Sequence, residues 1–134
     1  ARLLEGPMRG DVEAELLIHV TEELGHAVLV ADRIIQLGGI PVINPNQWTT
    51  LAKCAYEEPR DPYVEVILTQ NLQGERCAIT RYEDLAEYTQ GKDFSTYQMA
   101  ITILNQELEH EHDIEAFLTD LKRLKEDIRK FRME

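Results

Sequence analysis

Apolar residues recur at spacings of three and four over long stretches, so the chain reads as a series of amphipathic helices. The first complete stretch runs from about Met8 to Leu37, where Val12, Leu16, Leu17, Val20, Leu24, Ala27, Val28, Ala31, Ile34 and Ile35 keep one stripe. Gly38-Gly39 ends it, because glycine readily takes the left-handed conformation that closes a helix. Before it, Leu3-Leu4 are apolar right up to Gly6-Pro7, so residues 1–5 read as the end of an earlier helix. After Gly39 come Pro41, Pro45, Pro59 and Pro62, with a short helical stretch expected around Gln47 to Cys54. This is a crossover and not a hairpin. Asp61-Pro62 offers a cap and a first-turn proline for a helix that reaches Gln90 before Gly91. Ser95 with Gln98 has the form of a capping box, and Phe94 with Met99 that of a hydrophobic staple. The final helix is therefore expected from Ser95 to the last residues.

Counted with the truncated one, these are four long helices. The fold expected is all-α, a four-helix bundle with a long crossover between its second and third helices, the first helix lying mostly off the start. The whole chain, 1–134, reads as one domain that is incomplete at its N-terminus.

Charge narrows the range of partners. The formal net charge is -11, a field that repels phosphates and attracts cations, so nucleic acid is not an expected partner. The basic cluster Lys122, Arg123, Lys125, Arg129, Lys130 and Arg132 is interleaved with Leu124, Ile128 and Phe131, the pattern of a solvated helix face. No apolar run approaches the roughly 20 residues of a membrane span. Two cysteines, Cys54 and Cys77, are too few for a disulfide scaffold and too far apart for a zinc knuckle. A cytoplasmic protein with a candidate redox pair is the expectation.

The candidate chemistry lies in the histidines. The chain has four, and three have a glutamate three positions earlier: Glu23 with His26, Glu107 with His110, and Glu109 with His112. Positions i and i+3 share a helix face, so each pair can offer a carboxylate and an imidazole to one point. An isolated pair of this kind is usually a hydrogen-bonded surface feature. Height along the bundle changes the weighing. At about 1.5 Å per residue, Glu23/His26, Glu75 and Glu107/His110 all lie roughly 20 Å from a helix start. The crossover makes the second and third helices parallel, and the tight turn at Gln90 to Phe94 makes the third and fourth antiparallel. All three positions therefore fall at one level, with a further carboxylate expected on the first helix about ten residues before Ala1. Glu-x-x-His pairs on two helices with a Glu on each of the others form the ligand set of di-iron bundles.

Other residues have blander readings. Glu109 and His112 belong to a different face and read as surface groups. His19 lies one turn before Glu23; a histidine satisfied within the core is its ordinary reading, contact with a bound metal the other. Tyr82 reads as a core aromatic and Trp48 as packing in the crossover. Cys77 is turned about 200° from Glu75 on the helix, toward the crossover that carries Cys54. A pair within disulfide reach and two unrelated buried thiols both remain open.

The segments EELGHAVLVADRII from Glu22, NLQGERCAITRYEDLAEYTQGKD from Asn71 and ILNQELEHEHDIEAFL from Ile103 resemble bacterioferritin and, more closely, the Dps-like proteins called thioferritins. The resemblance spans essentially the whole chain. It implies a ferritin-like fold, Glu23, His26, Glu75, Glu107 and His110 as ligands of two iron ions per subunit, and a Cys54–Cys77 redox pair. It also implies a homododecameric cage that oxidises ferrous iron with hydrogen peroxide or dioxygen, stores the ferric product and protects against oxidative stress. The carboxylate-rich donor set suits iron, with manganese or zinc as substitutes. The rival enzyme class is a rubrerythrin-like peroxidase or manganese catalase that does not mineralise. A metal-free interaction bundle is the third reading.

Overall fold

Three long helices and one short helix account for most of the computed structural model, which describes residues 1–133. They are α1 (Arg9–Gln36), α2 (Pro45–Leu51), α3 (Val64–Thr89) and α4 (Phe94–Met133). The expected all-helical fold holds, and among the described residues no strand forms. One parallel bridge joins Glu5 to Tyr63.

The ends of α1 follow from local chemistry. At its C-terminus the Gly38 N–H donates to the Ile35 carbonyl and the Gly39 N–H to the Ile34 carbonyl, with Gly38 at φ 83. This is a Schellman closure, which satisfies carbonyls that a helix end leaves free. Upstream, residues 1–4 make a single turn, Leu4 N–H to Ala1 oxygen, and not a helix. One turn fixes several dihedrals for one hydrogen bond, too little to sustain a helix. The segment then passes through Gly6 at φ 113, where an added Cβ would stand 2.8 Å from the Tyr63 ring.

The starts of α3 and α4 differ from expectation for identifiable reasons. Pro62 accepts a hydrogen bond from the Glu5 N–H, and the Val64 N–H donates to Glu5, so Pro62 and Tyr63 are held extended and α3 begins only at Val64. Asp61 caps the Tyr63 N–H instead, at 3.0 Å. At α4 the cap is Asp93, whose carboxylate accepts the Thr96 N–H at 3.1 Å and the Thr96 hydroxyl. Since α4 begins at Phe94, Ser95 already lies inside the helix and is not its cap, and Phe94 stays exposed rather than forming a staple. The short helix α2 is capped by Asn44, which accepts the Asn46 N–H at 3.1 Å. Trp48 donates its indole N–H to the Val42 carbonyl at 2.8 Å, holding the crossover on itself.

Going up α1, its partners on α4 are met going down: His19 faces Asp113, Glu22 faces His110, His26 faces Gln106 and Arg33 faces Thr96. The two helices are therefore antiparallel. Buried positions on α4 are Thr96, Ala100, Ile103, Glu107, His110, Ile114 and Leu121, alternating by four and three as far as Ile114 and resuming two turns later at Leu121, as bundle packing requires. On α3 the buried stripe passes through Leu72, Glu75 and Ile79. Glu75, Glu107 and His110 thus occupy core positions. Below them lies the main apolar cluster, built from Leu4, Val12, Leu16, Val64, Ile67, Leu68, Leu72, Ile114 and Leu121. On α1 an outward face carries exposed Val20, Leu24, Val28 and Ile35.

Candidate metal centre

Acidic and imidazole groups on core stripes of three helices create an electrostatic problem, since buried charges are costly unless partnered. The structure brings Glu23, His26, Glu75, Glu107 and His110 to one level. His110 Nδ1 lies 3.4 Å from Glu23 Oε1, 3.5 Å from Glu107 Oε2 and 3.7 Å from Glu75 Oε2. His26 Nδ1 lies 3.1 Å from Glu107 Oε1 and 3.6 Å from Glu23 Oε2. Glu107 and His110 are only 1% and 2% exposed, whereas Glu23 stands at the rim.

The unmet bonding of these groups points the same way. His26 Nδ1, His110 Nδ1 and Glu107 Oε2 are buried without a hydrogen-bond partner. Donor atoms of Glu23, Glu75, Glu107 and His110 all lie within 4.8 Å of one another. Three carboxylates gathered around two imidazoles whose Nδ1 atoms are unpartnered suit a pair of divalent first-row cations. Separations of 3.4 to 3.7 Å are long for hydrogen bonds, but two ligands each about 2.1 Å from a shared tetrahedral ion stand about 3.4 Å apart.

The other ring nitrogen of each histidine is fixed from outside. His26 Nε2 is 2.6 Å from Gln106 Oε1, and His110 Nε2 is 2.7 Å from Glu22 Oε2. Both acceptors take an Nε2–H, which aims each Nδ1 at the centre. Gln106 and Glu22 each immediately precede the glutamate of a Glu-x-x-His pair and reach across to the histidine of the other. Sequence reasoning passed over both, although the shared position one residue before each motif was a readable signal.

Charge states reflect the same crowding. Burial pushes the Glu75 carboxyl up to about 7. Burial opposes ionisation of Glu107 as well, but the close approach of His110, Glu75 and His26 outweighs it and holds that carboxyl below its ordinary value. Burial also disfavours the charged form of His110, yet Glu107, Glu23, Glu75 and Glu22 together push it up to about 12. Tyr82 is half-buried, and that burial, reinforced by the Glu107 and Glu23 charges, raises its phenol to about 12.

Glu109 and His112 are exposed, as their face suggested. His19 differs from its ordinary reading. It is 4% exposed, yet neither ring nitrogen makes a hydrogen bond. It stacks on His110 at 3.9 Å between ring centroids, and burial with His110 beside it lowers its pKa. Cys54 and Cys77 are joined as a disulfide with Cα atoms 5.8 Å apart, which ties the crossover to α3. An open groove of about 830 Å³ runs past this disulfide to His19, Glu23 and Glu75.

Residues 1–124 match the family model described as ferritin-like domain. A Pyrococcus furiosus protein named DNA protection during starvation protein is 40% identical over 100 residues, 73% of this chain. The chain spans about half, 54%, of the length of that curated relative. Among solved structures, a dodecameric thioferritin, the bacterioferritin-related protein from Bacteroides fragilis, superposes with a TM-score of 0.92 at 47% identity. It covers 93% of this chain and 74% of its own. That neighbour bears out both the bundle fold and the thioferritin resemblance of the three segments.

Proposed function

Since this chain belongs to the ferritin-like domain family, we propose that it is a ferroxidase and iron-storage subunit that protects against oxidative stress in the cytoplasm. The observation that carries this reading is the convergence of inward Nδ1 atoms of His26 and His110 on the carboxylates of Glu23, Glu75 and Glu107. Ferrous iron is the substrate, two ions per subunit, with manganese or zinc as competitors. Glu23 and Glu107 each lie near both histidines and are the candidates to bridge two ions. Each ferrous ion gives up one electron, and one hydrogen peroxide takes both electrons and two protons to become two waters. The protons held by Glu75 and His110 are displaced as cations bind, so they are released where the reduction consumes them.

Assembly as a dodecameric cage, as in the Bacteroides fragilis neighbour, would cover the apolar outer face of α1, which is larger than a solvated helix needs. The Cys54–Cys77 disulfide beside the groove is the proposed redox pair. Stopped-flow oxidation of ferrous iron tests the centre: Glu75→Ala should lose the fast phase by at least about 100-fold, as expected when a ligand and not merely its support is removed. Wild-type rates in that variant would reject the assignment. Iron retained per assembled particle separates storage from peroxidase turnover alone.

A further inference from the structure

One turn from the centre, along both α1 and α4, a second constellation remains. Glu15 and His19 are four apart on α1 and share a face, and Asp113 follows His110 by three on α4. His19 Nε2 is 3.5 Å from Glu15 Oε1 and 3.7 Å from Asp113 Oδ2. The three donor atoms lie within 4.8 Å of one another. Acidic groups near a helix surface are common, and by themselves they carry no argument. His19 changes that, because it is 4% exposed and both of its nitrogens lack hydrogen bonds. A buried imidazole left without partners is costly, and this one aims Nε2 into the two carboxylates.

We propose that Glu15, His19 and Asp113 form an additional binding site for a divalent first-row cation, distinct from the five-residue centre. Its donors are one imidazole and two carboxylates, a set suited to ferrous, manganous or zinc ions with water completing the shell. The separations match the spacing of ligands around one ion, about 3.4 Å, better than hydrogen bonds. Glu15 and Asp113 are partly exposed, with side chains at 31% and 41% of full accessibility, so a hydrated ion can reach them from solvent. The opposite nitrogen, His19 Nδ1, lies 4.0 Å from Glu75 Oε1. One imidazole therefore has a nitrogen toward each site, and the outer site is placed to hand ions to Glu75. That supply role rests on the ferroxidase reading; the existence of the site does not.

Anomalous diffraction from crystals of the full chain equilibrated with cobalt(II) tests the proposal. A peak between Glu15, His19 and Asp113 is expected in the wild type. In the Glu15→Gln, Asp113→Asn double variant, which keeps size and shape at two partly exposed positions, that peak should vanish while those at the centre persist. In solution the variant should bind one fewer cobalt per chain, or bind it at least about 10-fold more weakly. Peaks confined to the centre in the wild type, or an outer peak unchanged in the double variant, would overturn the proposal. An outer peak without any at the centre would uphold this site and reject the dinuclear reading instead.

Discussion

Gln106 Oε1 sits 2.6 Å from His26 Nε2, on a different helix from the histidine it orients. Because the amide accepts the Nε2–H, the lone pair of Nδ1 is left facing Glu107, 3.1 Å away. The aim of one helix's imidazole thus depends on a side chain of its neighbour.

Replacing this acceptor with an isosteric apolar group should free the ring to rotate or change tautomer. Gln106→Leu is expected to weaken cobalt or ferrous binding at the centre by about 10- to 100-fold without unfolding the helices. Calorimetric titration together with far-ultraviolet circular dichroism checks both halves, and an undiminished affinity would show that Gln106 does not orient the ring.

Cation uptake should be linked to proton release, in a pH-dependent amount. Glu75 keeps its proton up to about 7 and His110 up to about 12. At about pH 6 both must yield a proton to a bound ion, whereas at about pH 8 only His110 still carries one, so release should fall from about two protons to about one. Weakly buffered titration with an indicator dye measures it. An equal yield at both values would contradict the raised Glu75 carboxyl.

The Cys54–Cys77 bond closes a separation of 23 residues. Loop-closure entropy assigns about 3 kcal/mol to a cross-link of that span. Cys54→Ser should therefore lower unfolding stability in denaturant by about that amount, mostly through the unfolded chain. Because α2 buries no residue, protease cleavage in the crossover should also quicken, with α3 and α4 untouched. Equal stability and equal cleavage would mean that the bond contributes little.

Asp93 ties the start of α4 to α1. Hydrogen bonds from the Thr96 hydroxyl and N–H, followed by Arg33, hold its carboxyl down at about 2, and Arg33 Nη2 lies 2.9 and 3.0 Å from its two oxygens. A depressed carboxyl stabilises the fold fully above the ordinary aspartate range, about 4, and loses that contribution as pH falls through the folded value. Asp93→Asn should melt below the wild type at neutral pH, and the gap should close toward about pH 2. A gap that stays constant across this range would argue that charge is not the cause.

Much of this architecture was legible because two periodicities speak plainly. The three- and four-residue spacing of apolar positions marks the helices, and Glu75, Glu107 and His110 stand out as polar residues on the same stripes. Their common height follows from a rise per residue that is nearly constant. What was not legible depended on tertiary partners. Pro62 and Tyr63 look like the first turn of a helix until Glu5 pairs with them. Ser95 looks like a cap until Asp93 takes the Thr96 N–H. His19 reads as an ordinary core histidine, because nothing in its neighbouring residues reveals that both nitrogens end without partners. The cross-helix acceptors Glu22 and Gln106 share the position just before each motif, but which histidine each one meets follows from the antiparallel pairing of α1 with α4.

The small bridge between Glu5 and Tyr63 acts as an alignment pin for the whole assembly. It fastens the roots of two parallel rods, α1 and α3, side by side before either begins to climb. A slip of one residue there would shift one rod against the other by about 3.3 Å, the rise of an extended residue. That offset exceeds the length of a metal–oxygen bond, so it would leave Glu75 a storey away from the groups it is meant to meet. Two backbone hydrogen bonds at the foot of the bundle, in a segment that belongs to no helix, thus add to the side-chain packing that holds α1 and α3 at matching heights.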